Sequence, residues 1–415
     1  MADLLSERAA SDGGAVFLES SSRRLSYAEV EALVAARAAQ LGDRTGCQVV
    51  VRPAPELDSV IELLAVSRSG ATMVVIGPDR PDAVDLIERA AADPRPAHTV
   101  LFTSGSSGRP KGVRLTAENW AAAARASTEA LGHGLGDRWL CVLPLHHVGG
   151  LSIIHRSVCG GGAVVLEPDL DRAGHWLDRV DFASVVPTQL YRLLSSRSEA
   201  YSTSPVVLVG GGPVDRVLLE GATDAGLRVL ATYGMTETTA QAATARIPGG
   251  PLFPLPGVEI ATDPDGQIMI RGKTVMSGYL GEPERAAGEW FFTTDRGVIH
   301  PDRSLEVMGR TGRLIITGGE NVDSSEVEAI VAGHRGVSEV VILGVADPEW
   351  GEMVVAAYVG EADEIELSEL VRIELPAFAR PKRWLQVDVL PRTELGKVDV
   401  VALTGRLSAS GGGPV

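Results

Sequence analysis

TSGSSGRPKG, residues Thr103 to Gly112, packs three glycines, three serines, a threonine, an arginine and a lysine into ten positions. The run before it, Thr99-Val100-Leu101-Phe102, is β-branched and aromatic, as a buried strand requires, and Val113-Arg114-Leu115 resumes a strand pattern after it. The spacing therefore predicts a loop at the tip of a hairpin. Gly105, Gly108 and Gly112 let the backbone turn and approach a ligand, leaving amide N–H groups free for anionic oxygens. The hydroxyls of Thr103, Ser104, Ser106 and Ser107 add donors, and Arg109 and Lys111 add positive charge, which together make a phosphate cradle. A Walker A loop needs G-x-x-x-x-G-K, then Ser or Thr opening a helix. Here Pro110 precedes Lys111, Gly112 follows it, and a strand comes next, so the spacing weakens that reading. A plain Gly/Ser-rich connector is the alternative for the loop taken alone.

Outward from this loop, 415 residues suffice for two or three domains with a full-sized core. The formal charge of −16 argues against nucleic acid or an anionic membrane as a partner, so local basic residues call for a local anion. Cys47, Cys141 and Cys159 are far apart and unpaired in pattern, which predicts buried thiols in a reducing cytoplasm. No apolar run reaches the ~18 residues of a membrane span, and Met1 to Ala10 carries acids where a leader would be basic.

Before the loop, Ser26 caps a helix over Ala28 to Leu41, followed by a strand at Val49 to Val51, a helix at Leu57 to Ser69 and a strand at Thr72 to Ile76. Alternating strands and helices predict an α/β sheet. After the loop come a helix from Ala117 to Leu131, capped by Thr116 and stopped by Gly132, and a strand ending in PLHHVGG from Pro144. The paired histidines suggest a pocket at His147, with His146 read as packed or surface. Strands at Ala163 to Leu166, Phe182 to Val186 and Val206 to Val209 follow. The last ends in Gly210-Gly211-Gly212-Pro213, where a flat ring could lie on bare backbone. Val229 to Thr239 then runs a strand into YGMTE, a polar knot holding Tyr233, Gly234, Thr236 and Glu237. A carboxylate beside a phosphate loop calls for an intervening divalent cation such as Mg²⁺; the alternative is a helix start favoured by the dipole.

From Phe253 to Gly309 short strands and turns predict a small β-rich subdomain, in which Asp295 reads as a turn residue at a strand end. The remainder, with a Gly318–Asn321 turn and a helix over Ser324 to His334, predicts a compact α+β unit. The expected division is an N-terminal domain at 1–308, a hinge at 309–313, a C-terminal domain at 314–407 and a disordered tail at 408–415.

With these residues assembled, the chain resembles the adenylate-forming superfamily of acyl-CoA synthetases, peptide-synthetase adenylation domains and luciferases. Seven motifs stand in family order from about Leu25 to about Leu407: TSGSSGRPKG, PLHHVGG, GGGP, YGMTE, TTD from Thr293, GRTGRLIITGGEN from Gly309 and PRTELGK from Pro391. The resemblance implies a large N-terminal α/β domain with a β-rich subdomain and a small, mobile α+β C-terminal domain. It also implies a two-step reaction: a carboxylate attacks the α-phosphorus of ATP, and a thiol then displaces AMP.

On that resemblance, Thr103, Ser104, Gly105, Ser106, Ser107, Gly108 and Lys111 hold the β- and γ-phosphates, Thr236 the α-phosphate and Glu237 the Mg²⁺. Gly211 and Gly212 flank adenine, Tyr233 with Gly234 stacks on it, and Asp295 and Arg310 bind the ribose. Lys397 bridges the carboxylate and the pentacoordinate phosphate, and His147 lies near the acyl group. The C-terminal unit would rotate to present Lys397 first and the Gly318–Asn321 turn second. Gly312 replaces the usual charged hinge residue, Thr294 replaces the usual glycine, and the region before the loop is short.

Within the superfamily, PLHHVGGLS, GGGPV and YGMTETTAQAAT resemble the 2-succinylbenzoate–CoA ligases of menaquinone synthesis. That implies ATP, Mg²⁺ and CoA as cofactors and co-substrates, an acid whose second carboxylate meets Arg156 or Arg192 unless both are surface residues, and a second copy of the chain as a candidate partner. The alternatives are a CoA ligase for another aryl or acyl acid, an adenylation enzyme loading a carrier protein, and a non-catalytic nucleotide-binding protein. Retention of Lys111, Glu237, Asp295, Arg310 and Lys397 argues against the last.

Overall fold

Antiparallel pairing of Thr99–Thr103 with Lys111–Leu115, with Thr103 opposite Lys111, makes the expected hairpin. The structure is a computed structural model and describes residues 2–78, 82–103, 110–196, 199–212, 214, 216–310, 314–391 and 403. The described residues divide into two compact units, one before and one after position 311.

In the first unit the hairpin belongs to a sheet ordered Gly278–Tyr279, Lys111–Leu115, Thr99–Thr103, Thr72–Val75 and Gln48–Val51. Every residue of Thr72–Val75 is buried, as a continuous β-branched and apolar run demands. A second sheet has a parallel centre, formed by Arg228–Tyr233, Val206–Val209, Phe182–Val185, Arg138–Cys141, Ala163–Leu166 and Val16–Glu19. The two sheets share a core in which Trp120, Trp139, Phe17 and Tyr27 are the bulkiest of the fully buried apolar members.

Capping sets the helices that cover these sheets. Tyr27–Leu41 starts at Ser26, whose Oγ accepts from the Glu29 amide at 3.3 Å while the Glu29 carboxylate accepts from the Ser26 amide at 2.7 Å. Ala117–Leu131 starts at Thr116 with the same reciprocal pair to Asn119 and ends at Gly132, as the sequence predicts. The Asn119 side-chain amide also donates to the carbonyls of Lys273 and Val275, at 2.8 and 2.9 Å. That contact ties the helix after the hairpin to the segment leading into Gly278–Tyr279.

The β-rich stretch forms as expected: it continues the second sheet from Arg228–Tyr233 through Ala243–Ala245, Leu252–Pro254, Leu305–Arg310, Phe291–Ile299, Gln267–Gly272 and Val258–Thr262. It keeps a core of its own around Ile268, Ile270 and Leu305. Other expectations are corrected. Asp295 is no turn residue, because Phe291–Ile299 runs through it as one strand and buries it. Cys47 is exposed rather than buried, whereas Cys141 is buried, which pushes its thiol up to about 12.

The second unit has its own sheet, ordered Glu320–Asp323, Leu314–Thr317, Gly351–Gly360 and Val337–Asp347, with Arg383–Gln386 parallel to Gly351–Gly360. Helices Ser324–Ala332 and Glu364–Glu374 bury Val327, Val331, Leu367 and Val371 against it. The expected four-residue turn shrinks to Gly318 and Gly319, since Glu320 and Asn321 already pair as strand. The tail at 408–415 and the hinge residues 311–313 lie outside the described residues.

Candidate active site

Lys111 opens the second strand of the hairpin, and its ammonium lies 4.9 Å from the centre of the Tyr279 ring. Tyr279 is brought there by pairing of Gly278 with Arg114 and of Tyr279 with Val113. At the edge of the ring, the Tyr279 hydroxyl donates to Glu237 Oε1 at 2.8 Å. Burial, and next the Glu237 charge, push the phenol pKa well up, so it stays protonated and acts as a donor. One tyrosine thus spans the phosphate-loop lysine and the candidate metal carboxylate. Ser104, Gly105, Ser106, Ser107, Gly108 and Arg109 lie outside the described residues, as does Lys397.

Glu237 sits in a single 3₁₀ turn, Thr236–Thr238, and its carbonyl accepts from the Met276 amide at 2.8 Å. The turn is held from within. Thr238 Oγ1 accepts from the Met235 amide at 3.0 Å, and Thr239 Oγ1 donates to the Thr274 carbonyl at 2.7 Å. Thr239 and Ala240 both occupy the left-handed region, at φ 54 and 81. Two consecutive non-glycine residues there store strain that the surrounding contacts must offset. Gly234 admits no side chain, because a Cβ would lie 1.7 Å from the Ala240 oxygen. Thr236 remains partly exposed at the start of the turn.

Tyr233 ends the preceding strand, and its hydroxyl donates to Asp295 Oδ2 at 2.7 Å. Asp295 is 4% exposed and pairs in register with Arg310 across the neighbouring strand. The Asp295 amide donates to Thr293 Oγ1 at 3.0 Å, so the TTD threonine orients the aspartate's backbone. Val206–Val209 runs parallel to this strand with Val209 opposite Ala231, which places Gly210, Gly211 and Gly212 beside the Tyr233 end of the sheet. At Gly210 a Cβ would lie 2.4 Å from Thr232 Oγ1, and Gly211 takes φ 79.

His147 stands at the N-cap position of helix Val148–Gly160 without a side-chain capping hydrogen bond, its ring 4.4 Å from that of His146. The two arginine candidates separate. Arg156 is not on the surface: it is 4% exposed, donates to Ser152 Oγ at 2.7 Å and lies 4.6 Å from the Trp139 ring. Burial lowers its pKa to about 10. Its contacts among the described residues are with this core and with none of the nucleotide candidates. Arg192 lines a separate cleft of ≈ 440 Å³ with Asp169, Leu170, Asp171, Ser195 and Ser196.

Tyr279 is the functional candidate that sequence reasoning misses. Its strand is two residues long, and it meets Glu237 across 42 positions of sequence. The signal available is the lone tyrosine following Ser277-Gly278 in a turn-rich stretch.

Residues 78–280 match the AMP-binding enzyme family, and residues 326–397 match the AMP-binding enzyme C-terminal domain. The 2-succinylbenzoate–CoA ligase of Listeria monocytogenes serotype 4b is 34% identical over 365 residues, covering 82% of this chain and 76% of the relative. The chain belongs to the AMP-binding, adenylate-forming enzyme family, among its 2-succinylbenzoate–CoA ligases. The same branch of the family appears among solved structures. The o-succinylbenzoate CoA synthetase of Bacillus subtilis, as a double mutant bound to its product analogue OSB-NCoA, superposes with TM-score 0.85 at 27% identity, covering 97% of this chain and 98% of that one. In complex with the acyl-adenylate OSB-AMP the TM-score is 0.70 at 26% identity, covering 99% of each chain. With ATP and magnesium it is 0.69 at 27% identity, covering 95% and 98%.

The residues present fit magnesium. Glu237 Oε1 takes the Tyr279 hydrogen bond, and no hydrogen bond or ion pair engages Oε2 among the described residues. No group of three metal-ligating side chains occurs among the described residues. A single carboxylate supplemented by phosphate oxygens and water is how Mg²⁺ is usually held.

Proposed function

We propose that the protein joins 2-succinylbenzoate to CoA at the expense of ATP, releasing AMP and pyrophosphate, as a step of menaquinone biosynthesis. The observation that supports this reading most strongly is the Lys111–Tyr279–Glu237 bridge. It links the cation that closes the phosphate loop to a carboxylate through one tyrosine, in a chain of the 2-succinylbenzoate–CoA ligase family.

In the first half-reaction a substrate carboxylate oxygen forms a bond to the α-phosphorus while the bond to the bridging oxygen breaks, and pyrophosphate leaves with the electron pair. The loop from Thr103 to Lys111, including Ser104, Gly105, Ser106, Ser107 and Gly108, cradles the β- and γ-phosphates. Thr236 donates to the α-phosphate. Glu237 holds Mg²⁺, which when bound offsets phosphate charge. Gly211, Gly212 and Gly234 leave backbone surface for adenine beside Tyr233, and Asp295 with Arg310 takes the ribose hydroxyls. Lys397 places its cation where charge grows in the transition state. In the second half-reaction the CoA thiol, losing its proton, bonds to the acyl carbon, and the acyl–oxygen bond to AMP breaks. His147 borders the acyl group.

No helix among the described residues is long and apolar enough to cross a membrane. We place the enzyme in the cytoplasm, with small-molecule substrates as its partners and a second copy of the chain as a candidate one. The test is incubation with ATP, Mg²⁺, CoA and 2-succinylbenzoate, with mass detection of the thioester. Equal yields of thioester and AMP are expected, and AMP formation without thioester would overturn the CoA assignment.

A further inference from the structure

We propose that Tyr279 is the positioning residue of the nucleotide site, aiming the Glu237 carboxylate at the cation and holding Lys111 apart from it. The inference rests on the ATP and Mg²⁺ reading given above.

Lys111 and Glu237 carry opposite charges and both contact Tyr279, yet they form no ion pair with each other. Such a pair would use up both the phosphate-binding cation and the metal-binding carboxylate. Tyr279 engages each of them through a different part of its side chain. Its π face receives the ammonium at 4.9 Å, and its hydroxyl takes one oxygen of the carboxylate at 2.8 Å. With Oε1 fixed by a donor, the second oxygen keeps one direction, and carboxylates oriented this way bind metal more tightly.

The tyrosine is itself held on both sides. Leu280 N donates to the Gly112 carbonyl at 2.8 Å, and Gly281 N donates to Asp93 Oδ2 at 2.9 Å. Asp93 is 5% exposed and ion-paired with Arg95, whose guanidinium also donates to the Glu282 carbonyl. The Arg95 hydrogen bond, chiefly, holds the Asp93 carboxyl far below the ordinary range, so the clamp persists at all working pH values. The segment carrying Tyr279 is thus anchored to the hairpin strand at one residue and to the 93–95 corner at the next two.

The test is calorimetric binding of ATP at increasing Mg²⁺ in the absence of acid and CoA, with wild type, Tyr279→Phe, Tyr279→Leu, Glu237→Gln and the Tyr279→Phe/Glu237→Gln double variant. Tyr279→Phe keeps the ring and loses the donor, so the Mg²⁺ needed for half-maximal binding is expected to rise about tenfold, the low end for an outer partner of a metal ligand. ATP affinity at saturating Mg²⁺ stays within about twofold of wild type, because the ring still seats Lys111. In the Glu237→Gln background the same change is expected to have no further effect, since the two groups act as a unit. Tyr279→Leu removes the ring as well and weakens ATP binding at every Mg²⁺ concentration. An unchanged Mg²⁺ requirement in Tyr279→Phe, or an effect of full size in the double variant, would overturn the proposal. ATP binding by wild type that is indifferent to Mg²⁺ and to Glu237→Gln would instead overturn the reading beneath it.

Discussion

Replacing Gly234 by alanine tests the tightest backbone approach at the site. The added Cβ would lie 1.7 Å from the Ala240 oxygen, 2.7 Å from its carbonyl carbon and 3.0 Å from the Ala242 nitrogen. All three are backbone atoms, so no side chain can swing aside, and the 240–242 segment must retreat by more than about 1 Å to reach ordinary contact. That segment is not free to move. Ala240 N donates to the Met235 carbonyl at 3.1 Å, Ala242 N donates to the Tyr233 carbonyl at 2.8 Å, and Ala240 already sits at φ 81. Overpacking of this kind costs about 1–3 kcal/mol. Displacement of Thr236 and Glu237 by about 1 Å costs on the order of 10²-fold in rate. The assay is steady-state AMP formation together with thermal unfolding. Gly221→Ala serves as the control, because nothing lies within 4 Å of a Cβ there and the residue is inside helix Arg216–Asp224. The control is expected to gain about 0.5–1 kcal/mol of stability with unchanged activity. Gly234→Ala with turnover within about twofold of wild type would refute the steric reasoning.

Tyr233→Phe removes the 2.7 Å hydrogen bond to the buried Asp295. Hydrogen bonds to charged groups are worth about 1.5–3 kcal/mol, so the KM for ATP is expected to rise about tenfold, and an unchanged KM would detach this pair from the nucleotide. Burial, the largest influence on each, lowers His98 and His133 to about 4 from 6.5. Both depressed values mean the unfolded chain binds protons more tightly, so their stabilisation is complete above about pH 6.5 and is lost as pH falls toward 4. Denaturant unfolding at pH 5 is expected to show roughly 2 kcal/mol less stability per histidine than at pH 7, and a flat profile would contradict it. Lys397→Ala is expected to bind ATP normally yet lose at least about 10²-fold in adenylation, measured in single turnover, whereas unchanged adenylation would remove its assigned role.

Elements with one dominant local signal were legible in the sequence. Ala163–Leu166 and Val206–Val209 stand at their expected bounds because four consecutive apolar residues between turn residues admit little else. Helix Ala117–Leu131 stands at its expected bounds because Thr116 and Gly132 punctuate it. Helix Val148–Gly160 escapes the same reading for a physical reason: Gly150 to Val158 are buried on every side, so no amphipathic stripe marks it. Asp295 misleads because Thr-Thr-Asp-Arg-Gly has turn composition. Its strand context shows only in the alternation of buried Thr293, Asp295 and Gly297 with exposed neighbours. The membership of Lys111, Thr236, Glu237, Tyr233 and Asp295 in one region follows from motif chemistry. Tyr279 does not, because its role is created by a two-residue strand and two long-range contacts that no local pattern encodes.

Exchange of labelled pyrophosphate into ATP, measured across a panel of aryl and acyl acids led by 2-succinylbenzoate, isolates the formation of the acyl-adenylate. Exchange that depends on 2-succinylbenzoate and Mg²⁺ is expected, followed by thioester formation when CoA is added. Exchange with a different acid alone would contradict the substrate, and no exchange with any acid would contradict catalysis itself.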